Sequence, residues 1–259
     1  MYNSVAKALI IARYTFIEVY KSKIMFNVLI LGLAIAVLSF IAAEFTYGVP
    51  GRVALDIGLG LLSLSAVGIS VFMGATLISK EIEQRTVYMT LSRPVGRVSF
   101  LLGRVLGMVL ILLINILLLG IIICSVTIMF GGEVGPLFVW TILLSYIESI
   151  ILLFIVISCS LVANTIITVI SSLTIYATGH ALIETMTFTT VKSNALLMKL
   201  LKILEVVFPN FSKLNIKPYL LYEQNLPHDF LWNALSYGTV YGLMMFVVAA
   251  ILFVKKSLD

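Results

Sequence analysis

Long apolar runs separated by short polar segments dominate this chain from residue 24 onward. Runs of roughly 20 residues or more recur, which is the length that an α-helix needs to cross a hydrocarbon core of about 30 Å. The pattern predicts six transmembrane helices, at residues 24–43, 55–79, 101–130, 136–163, 165–188 and 230–254. The sequence therefore predicts an all-α integral membrane protein, with residues 1–259 forming a single transmembrane domain.

The N-terminal segment, residues 1–23, has the amphipathic pattern of a helix that lies in a membrane interface. Charged residues interrupt it throughout and no small-residue cleavage site follows, so it does not read as a secretory signal. One face is apolar and consists of Val5, Leu9, Ala12, Phe16 and Val19. The opposite face is polar and consists of Asn3, Lys7, Tyr14, Glu18 and Lys21. The alternative is that the segment is only the solvated start of the first span.

Residues 189–229 form the one long segment predicted on the extracytoplasmic side. Its first half predicts a second interfacial helix, because lysines and apolar residues fall on opposite faces: Lys192, Lys199 and Lys202 against Leu196, Leu197, Leu200, Leu204 and Val207. Three prolines then break the regularity, at Pro209, Pro218 and Pro227. We expect this second half to form a compact lid over the outer mouth.

Two connections between spans are tight. The sequence GGEVGP at 131–136 predicts a turn between the third and fourth spans, because glycine tolerates unusual φ values. Only a polar break around Asn164 and Thr165 separates the fourth span from the fifth. The sequence leaves open whether the fifth segment crosses the membrane fully or forms a re-entrant or broken helix.

Composition and charge support a membrane protein and suggest its orientation. Apolar residues make up 61% of the chain and charged residues 11%, with a mean hydropathy of +1.15, whereas soluble domains are about 25% charged. With both termini inside, the predicted cytoplasmic segments hold 11 Lys and Arg and the outer segments hold 6. Since cytoplasmic loops are enriched in Lys and Arg, both termini are predicted to be cytoplasmic. The net charge of +5 is explained by this asymmetry and suggests no nucleic-acid partner.

The sequence holds no signature of a soluble enzyme. It contains no Gly-Lys dipeptide, which excludes a GxxxxGK[ST] nucleotide-binding loop, and it has neither HExxH nor CxxC. The histidines, His180 and His228, have no local partners that would make a metal cluster. Cys124 and Cys159 lie inside different predicted spans, and we interpret both as packing residues. If the protein uses energy from a nucleotide, we expect another polypeptide to hydrolyse that nucleotide.

Four polar residues inside the predicted spans are candidates for a functional role. Glu148 at mid-span costs about 2.5–3.5 kcal/mol on insertion scales, so it should face the bundle and have a partner. Asn115 lies at comparable depth in the preceding span and is the predicted partner. The pair is either a simple interhelical hydrogen bond or a substrate or proton site. His180 and Glu184 share one helical face near the outer end of the fifth span, where they either line an exit path or anchor the helix at the headgroups.

Charge is concentrated in one short segment between the second and third spans. Residues 78–104 carry seven of the chain's charged residues: Lys80, Glu81, Glu83, Arg85, Arg93, Arg97 and Arg104. We predict a cytoplasmic loop over residues 80–100. Pro94 is expected to end a short helix there, because proline lacks an N–H and disfavours the α conformation of the residue before it.

The sequence of this loop, SKEIEQRTVYMTLSRPVGRVSFLLGRVLG, resembles the inner loop of ABC-2-type exporter permeases. The family pattern is an acidic pair, a Thr, a short apolar helix, Leu-Ser-basic-Pro, a second Arg and Leu-Gly-basic. The matching residues here are Glu81, Glu83, Thr86, Leu91, Ser92, Arg93, Pro94, Arg97, Leu102, Gly103 and Arg104. The similarity is greatest to the branch associated with copper-enzyme maturation and gliding systems, although Arg85 stands where many members have Gly.

The resemblance implies a permease subunit, not an enzyme, in the cytoplasmic membrane of a prokaryote. It implies a coupling helix around residues 80–92 that docks onto a separate ATPase, which would bind ATP and Mg²⁺ in place of this chain. The residues assigned to this contact are Glu81, Glu83, Arg85, Thr86, Arg93, Pro94 and Arg97. The resemblance also implies a dimer of permeases with the translocation path between the two copies.

Three other readings remain open from the residues. A proton-coupled secondary transporter would use Glu148, but such folds often contain inverted repeats and no convincing repeat is present. An intramembrane enzyme would need catalytic groups at matched depths, and only Asn115 and Glu148 qualify. A structural assembly subunit is also compatible with the sequence.

Overall fold

The computed structural model describes residues 2–21, 24–45, 49–83, 96–222 and 226–256, which form helices joined by short connections. The helices are α1 (Tyr2–Lys21), α2 (Ile24–Phe45), α3 (Pro50–Glu83), α4 (Arg97–Met129), α5 (Pro136–Val162), α6 (Thr165–Thr187), α7 (Thr189–Lys192), α8 (Ala195–Val207), a 3₁₀ helix (Phe211–Leu214), α9 (Lys217–Leu221) and α10 (Phe230–Lys255). The described part of the chain contains no strand.

Five of these helices are long and apolar enough to cross a membrane, judged by length and composition. They are the segments Pro50–Leu77, Arg97–Met129, Pro136–Val162, Thr165–Met186 and Phe230–Lys255. They correspond to the second to sixth predicted spans, so the prediction of a helical membrane protein is confirmed at this level. For the first predicted span, the structure gives helix α2, within which Ile30–Ala42 is a shorter apolar stretch.

Local sequence explains where α5 and α6 begin and end. Pro136 lies in the first turn of α5, where its missing N–H has no intrahelical partner to lose. After α5 ends at Val162, the side chain of Asn164 caps α6 by accepting the N–H of Ile167 at 3.0 Å. Helix α6 then runs unbroken over 23 residues. The alternative of a broken helix is therefore wrong for this segment.

Residues 80–83 continue α3 as its last turn. The predicted coupling helix began at residue 80, so its first residues belong to a long helix that also crosses the bundle. The remainder of that prediction, including Arg85, Thr86, Arg93 and Pro94, lies outside the described residues, as do the side chains of Glu81 and Glu83. We name the end of the bundle where α3 stops and α4 starts the loop end.

Helix α1 packs against the first half of α4 through two glycines. A Cβ placed on Gly103 would lie 2.6 Å from Cβ of Ile11, and one on Gly107 would lie 2.6 Å from Cβ of Thr15. The GxxxG spacing therefore allows the backbone of α1 to approach within this chain. On the face expected to be apolar, Ala12 and Val19 are buried, whereas Leu9 is 59% exposed, so the packed face of α1 overlaps the predicted face without including Leu9.

Residues 208–222, which we call the lid, lie between the long helices at the end opposite the loop end. Phe211, Leu214 and Ile216 are fully buried and pack with Leu144 and Ile151 of α5. The close approach depends on small residues: a Cβ on Gly179 of α6 would overlap the backbone carbonyl of Pro209, and one on Gly238 of α10 would lie 3.2 Å from Leu214. The predicted lid is thus a plug inserted into the bundle, and we call this the lid end.

The predicted amphipathic helix before the lid is present as α8. Asn194 begins it by accepting the N–H groups of Leu196 and Leu197. Lys199 and Lys202 are exposed, and so are the apolar side chains of the opposite face, including Leu196 and Leu200. An unpacked apolar face of this kind fits contact with lipid.

Candidate functional site

A buried acid and an imidazole connect α5 to α6 beneath the lid. Nε2 of His180 lies 2.8 Å from Oε1 of Glu148. The side chains are 28% and 13% exposed, respectively. The contact is a hydrogen bond when the imidazole is neutral and an ion pair when it is protonated. It gives the acid a partner inside the bundle, which an acid in a membrane-spanning helix needs.

Aromatic side chains surround this pair and join it to the lid. Tyr176 lies one turn before His180 on α6, lines the same small cavity as Glu148 and contacts the imidazole edge-on with ring centroids 4.7 Å apart. Phe211 of the lid stacks on His180 at 5.5 Å. Next to it, the hydroxyl of Ser212 donates to the backbone carbonyl of His180 at 3.0 Å. The lid therefore rests directly on the residue that binds Glu148.

Lys217 adds a cationic side chain to the group formed by Glu148, His180 and Tyr176, and we call these four residues the polar cluster. From the first position of α9, its Nζ donates to the backbone carbonyl of Leu59 on α3 at 3.3 Å and to the hydroxyl of Ser63. Burial lowers the pKa of Lys217, while the negative charges of Glu148 and Asp56 act in the opposite direction. Lys217 thus attaches the lid to α3 and interacts electrostatically with the acid on α5.

A cavity of about 10 Å³ lies between α3, α5 and α6 beside this cluster. Its lining includes Ser63, Ser145, Glu148, Ser149 and Tyr176. This volume is close to that needed by one water molecule, and the polar lining offers several hydrogen-bond partners for it. The cavity has room for one water molecule but not for a larger substrate.

The predicted partnership of Glu148 with Asn115 is wrong. The side-chain oxygen of Asn115 instead accepts a hydrogen bond from Ser65 on α3 at 3.3 Å. Its Nδ2 is buried without a hydrogen-bond partner among the described residues. The prediction paired the two residues because they lie at similar depths in consecutive spans. In the structure, however, the face of α5 that carries Glu148 is directed to α6 and the lid.

Of the other predicted pair, only one member belongs to the cluster. His180 binds Glu148, as described, while Glu184 is exposed one turn further toward the end of α6. Sequence reasoning missed Tyr176 and Lys217. The signal for Tyr176 was its four-residue spacing from His180, and the signal for Lys217 was a lysine directly after the apolar residues of the lid.

At the loop end, basic side chains join α4 to its neighbours. Nη1 of Arg97 donates to the carbonyls of Val254 and Lys256 at the end of α10, at 2.9 and 3.2 Å. Nη1 of Arg104 forms a 2.6 Å ion pair with Glu18 of α1. The Nζ of Lys256 in turn donates to the carbonyl of Leu161 in α5 at 2.7 Å. The first two turns of α4 are therefore tied directly to α10 and α1, and the end of α10 is tied to α5.

Metal chemistry receives no support from the side-chain arrangement. Within the described residues, no group of three or more His, Cys, Asp or Glu side chains is placed to hold a metal ion. Cys124 and Cys159 are free thiols that pack against different apolar clusters.

Comparisons with known proteins do not assign the chain to a family. No model of a protein family matches the sequence, and no curated protein matches it.

Proposed function

We propose that this chain is the membrane-spanning permease subunit of an ATP-binding-cassette exporter. It is coupled through residues 80–97 to a separate ATPase, which binds ATP and Mg²⁺. The observation that carries this proposal is the loop sequence with its acidic pair, its Leu-Ser-Arg-Pro step and Arg97. The resemblance supplies the further expectation that two permease copies enclose the path in the cytoplasmic membrane of a prokaryote, with both termini inside.

The ties at the loop end support the proposal physically. A coupling element must pass displacement to helices that line a path, and the loop joins α3 directly to α4. Because Arg97 and Arg104 hold α4 to α10 and α1, movement of the loop reaches these helices without further contacts. Packed helices respond to such displacement as rigid bodies.

Helix α3 also connects the loop end to the polar cluster. From Glu83 to Ser63, α3 spans 20 residues, or about 30 Å at 1.5 Å per residue. Ser63 is one of the two groups that bind Lys217 of the lid. A shift or rotation of α3 driven at Glu83 would therefore act on the anchor of the lid. In this mechanism, the cluster around Glu148 holds the lid closed until α3 moves.

An uncoupling experiment tests this role. Residues 86–91 are replaced by a Gly-Ser sequence of equal length, and the complex is reconstituted in vesicles. We expect the variant permease to fold and to assemble with its ATPase, because the replaced residues lie outside the apolar spans. The complex should then hydrolyse ATP without moving cargo. A matched Gly-Ser replacement of 189–194, at the other end of the bundle, should leave coupling intact. Unchanged transport in the 86–91 variant would contradict the proposal.

The hydrogen bond between Glu148 and His180 favours a second candidate, a proton-coupled secondary transporter. Histidine changes charge between about pH 5 and 8, and an intramembrane acid is a common element of proton relays. Vesicles that contain this chain alone separate the two functions. Transport that follows an imposed pH gradient and stops in Glu148→Gln would support the second candidate, while dependence on an added ATPase and ATP would support the first.

A further inference from the structure

A second cavity, of about 380 Å³, opens at the lid end away from the polar cluster. It lies between the first turn of α3 and the turn that joins α4 to α5, and Leu220 of α9 closes one side. Its volume is within the range of roughly 300–1,000 Å³ found for small-molecule sites. Because it lies where α3 and α5 begin, it would be at headgroup level if these helices cross the membrane.

The lining of this cavity combines opposite charges. Arg52 and Glu133 both line it, from the start of α3 and from the α4–α5 turn. The first turn of α3 contains no acidic side chain, and the N-terminal end of a helix carries a partial positive charge. An anionic group is therefore favoured on the α3 side of the cavity and a cationic group on the side of Glu133.

Backbone and buried polar groups form the floor. Gly51 and Gly132 approach so closely that a Cβ on Gly51 would overlap the backbone N of Gly132, and Gly131 adopts a φ of 72° in the same turn. Thr127, which also lines the cavity, is 1% exposed. Its Oγ1 has no hydrogen-bond partner in the described part of the chain. Gly51 and Gly132 allow the first turn of α3 to pack directly against the α4–α5 turn, and Thr127 contributes a buried hydroxyl beside the cavity.

We propose that this cavity binds a zwitterion that carries a primary ammonium and a phosphate, the chemistry of phosphoethanolamine. The phosphate lies against the guanidinium of Arg52, which can form charge-assisted hydrogen bonds with it, and near the positive end of α3. The ammonium donates hydrogen bonds to Glu133. A choline headgroup is a poorer ligand, because its quaternary ammonium has no N–H to donate.

The two sources of this chemistry are a phosphatidylethanolamine molecule of the membrane and soluble phosphoethanolamine. Either ligand would contact Leu220, which shares helix α9 with Lys217. Occupancy of the cavity would thus support the helix that anchors the lid. The inference does not depend on whether an ATPase drives the protein.

The test uses the full chain in nanodiscs of phosphatidylcholine that contain a minor fraction of phosphatidylethanolamine. Native mass spectrometry measures which lipids stay bound after release into detergent. We expect the bound ratio of phosphatidylethanolamine to phosphatidylcholine to exceed the bulk ratio about tenfold, since one charge-assisted contact is worth about that factor. Glu133→Gln should return the ratio to near the bulk value, and Arg52→Gln should reduce the amount of both lipids that stays bound, because both carry the phosphate. Asp229→Asn and Lys199→Gln, which alter exposed charges elsewhere, should change neither quantity.

A parallel titration of phosphoethanolamine into phosphatidylcholine nanodiscs separates the two sources. Binding that Glu133→Gln weakens, without lipid enrichment, would identify the soluble zwitterion as the ligand, and lipid enrichment would identify the membrane lipid. Glu133 is exposed, so its substitution should leave the fold intact, which an unchanged thermal unfolding curve verifies. The proposal is overturned if neither ligand shows a dependence on Glu133 and Arg52.

Discussion

Removing the carboxylate of Glu148 should destabilise the bundle. In Glu148→Leu, the N–H of His180 loses its acceptor. A buried donor left without a partner costs about 1–3 kcal/mol. Because the His180 side chain is partly exposed and water can reach it, we expect a loss of about 2 kcal/mol. Glu148→Gln retains an acceptor oxygen and should lose only about 1 kcal/mol.

A comparison with Asn115 makes this prediction specific. Asn115 accepts one long hydrogen bond and has an unpartnered Nδ2, so Asn115→Leu removes a buried polar group that is poorly satisfied. We expect a change in unfolding free energy of less than about 1 kcal/mol, because a serine hydroxyl on a helix that loses its acceptor can rotate to a backbone carbonyl one turn earlier, and the unpartnered Nδ2 is removed. The free energies are measured by titrating micelles of the purified protein with a denaturing detergent and following helicity.

Double-mutant cycles then identify the partner of Glu148. Residues in contact show coupling energies of about 0.5–3 kcal/mol, and independent sites add within about 0.5 kcal/mol. We expect Glu148→Leu and His180→Leu to be coupled by about 1–2 kcal/mol, and Glu148→Leu and Asn115→Leu to be additive. Coupling of Glu148 to Asn115 that exceeds its coupling to His180 would refute the reasoning.

Three further predictions concern helix packing, pH and topology. Gly107→Ala should destabilise the protein by about 1–3 kcal/mol, the usual effect of overpacking, because the added Cβ would press against α1. Gly60→Ala adds a Cβ where no atom lies within 4 Å, so it should be neutral or stabilising. Thermal unfolding measures both variants. Burial lowers the pKa of Lys217 in the folded state, so the unfolded state binds the proton more tightly. The free energy of unfolding should therefore rise as pH increases from the lowered pKa toward the unfolded value of about 10.4. Lys217→Met should abolish this rise. In a background without native cysteines, a membrane-impermeant reagent applied to intact cells should label a cysteine at Lys213 but not one at Gln84, and the opposite result would reverse the predicted orientation.

The element boundaries were largely predictable because local chemistry sets them. Pro136 marks the start of α5, and the capping side chain of Asn164 separates α5 from α6. Both signals act within a few residues of the helix ends. Apolar periodicity likewise located α8, since its lysines and leucines alternate at helical spacing.

The partners inside the bundle were not predictable, because they depend on how distant segments pack. The sequence placed 208–222 over the outer mouth, but the segment is inserted between helices, which brings Lys217 to Ser63 and Phe211 to His180. The position of Glu148 at mid-span predicted that it has a partner, but only the packing of α6 and the lid showed that the partner is His180. Similarly, the spacing of Gly103 and Gly107 permits a close contact between helices, but it does not identify α1 as the partner.

Co-purification with an ATPase tests the central claim most directly. The protein, extracted from its native membranes in mild detergent, is isolated through an affinity tag as wild type and as Glu83→Lys, with Asp229→Lys at the opposite end of the bundle as control. We predict that an ATPase with a nucleotide-binding loop accompanies wild type and the control in fixed proportion. We predict that Glu83→Lys loses it, because like charges facing each other across an interface cost several kcal/mol. Isolation of the wild-type protein with no ATPase, or equal recovery with all three proteins, would contradict the proposed coupling through residues 80–97.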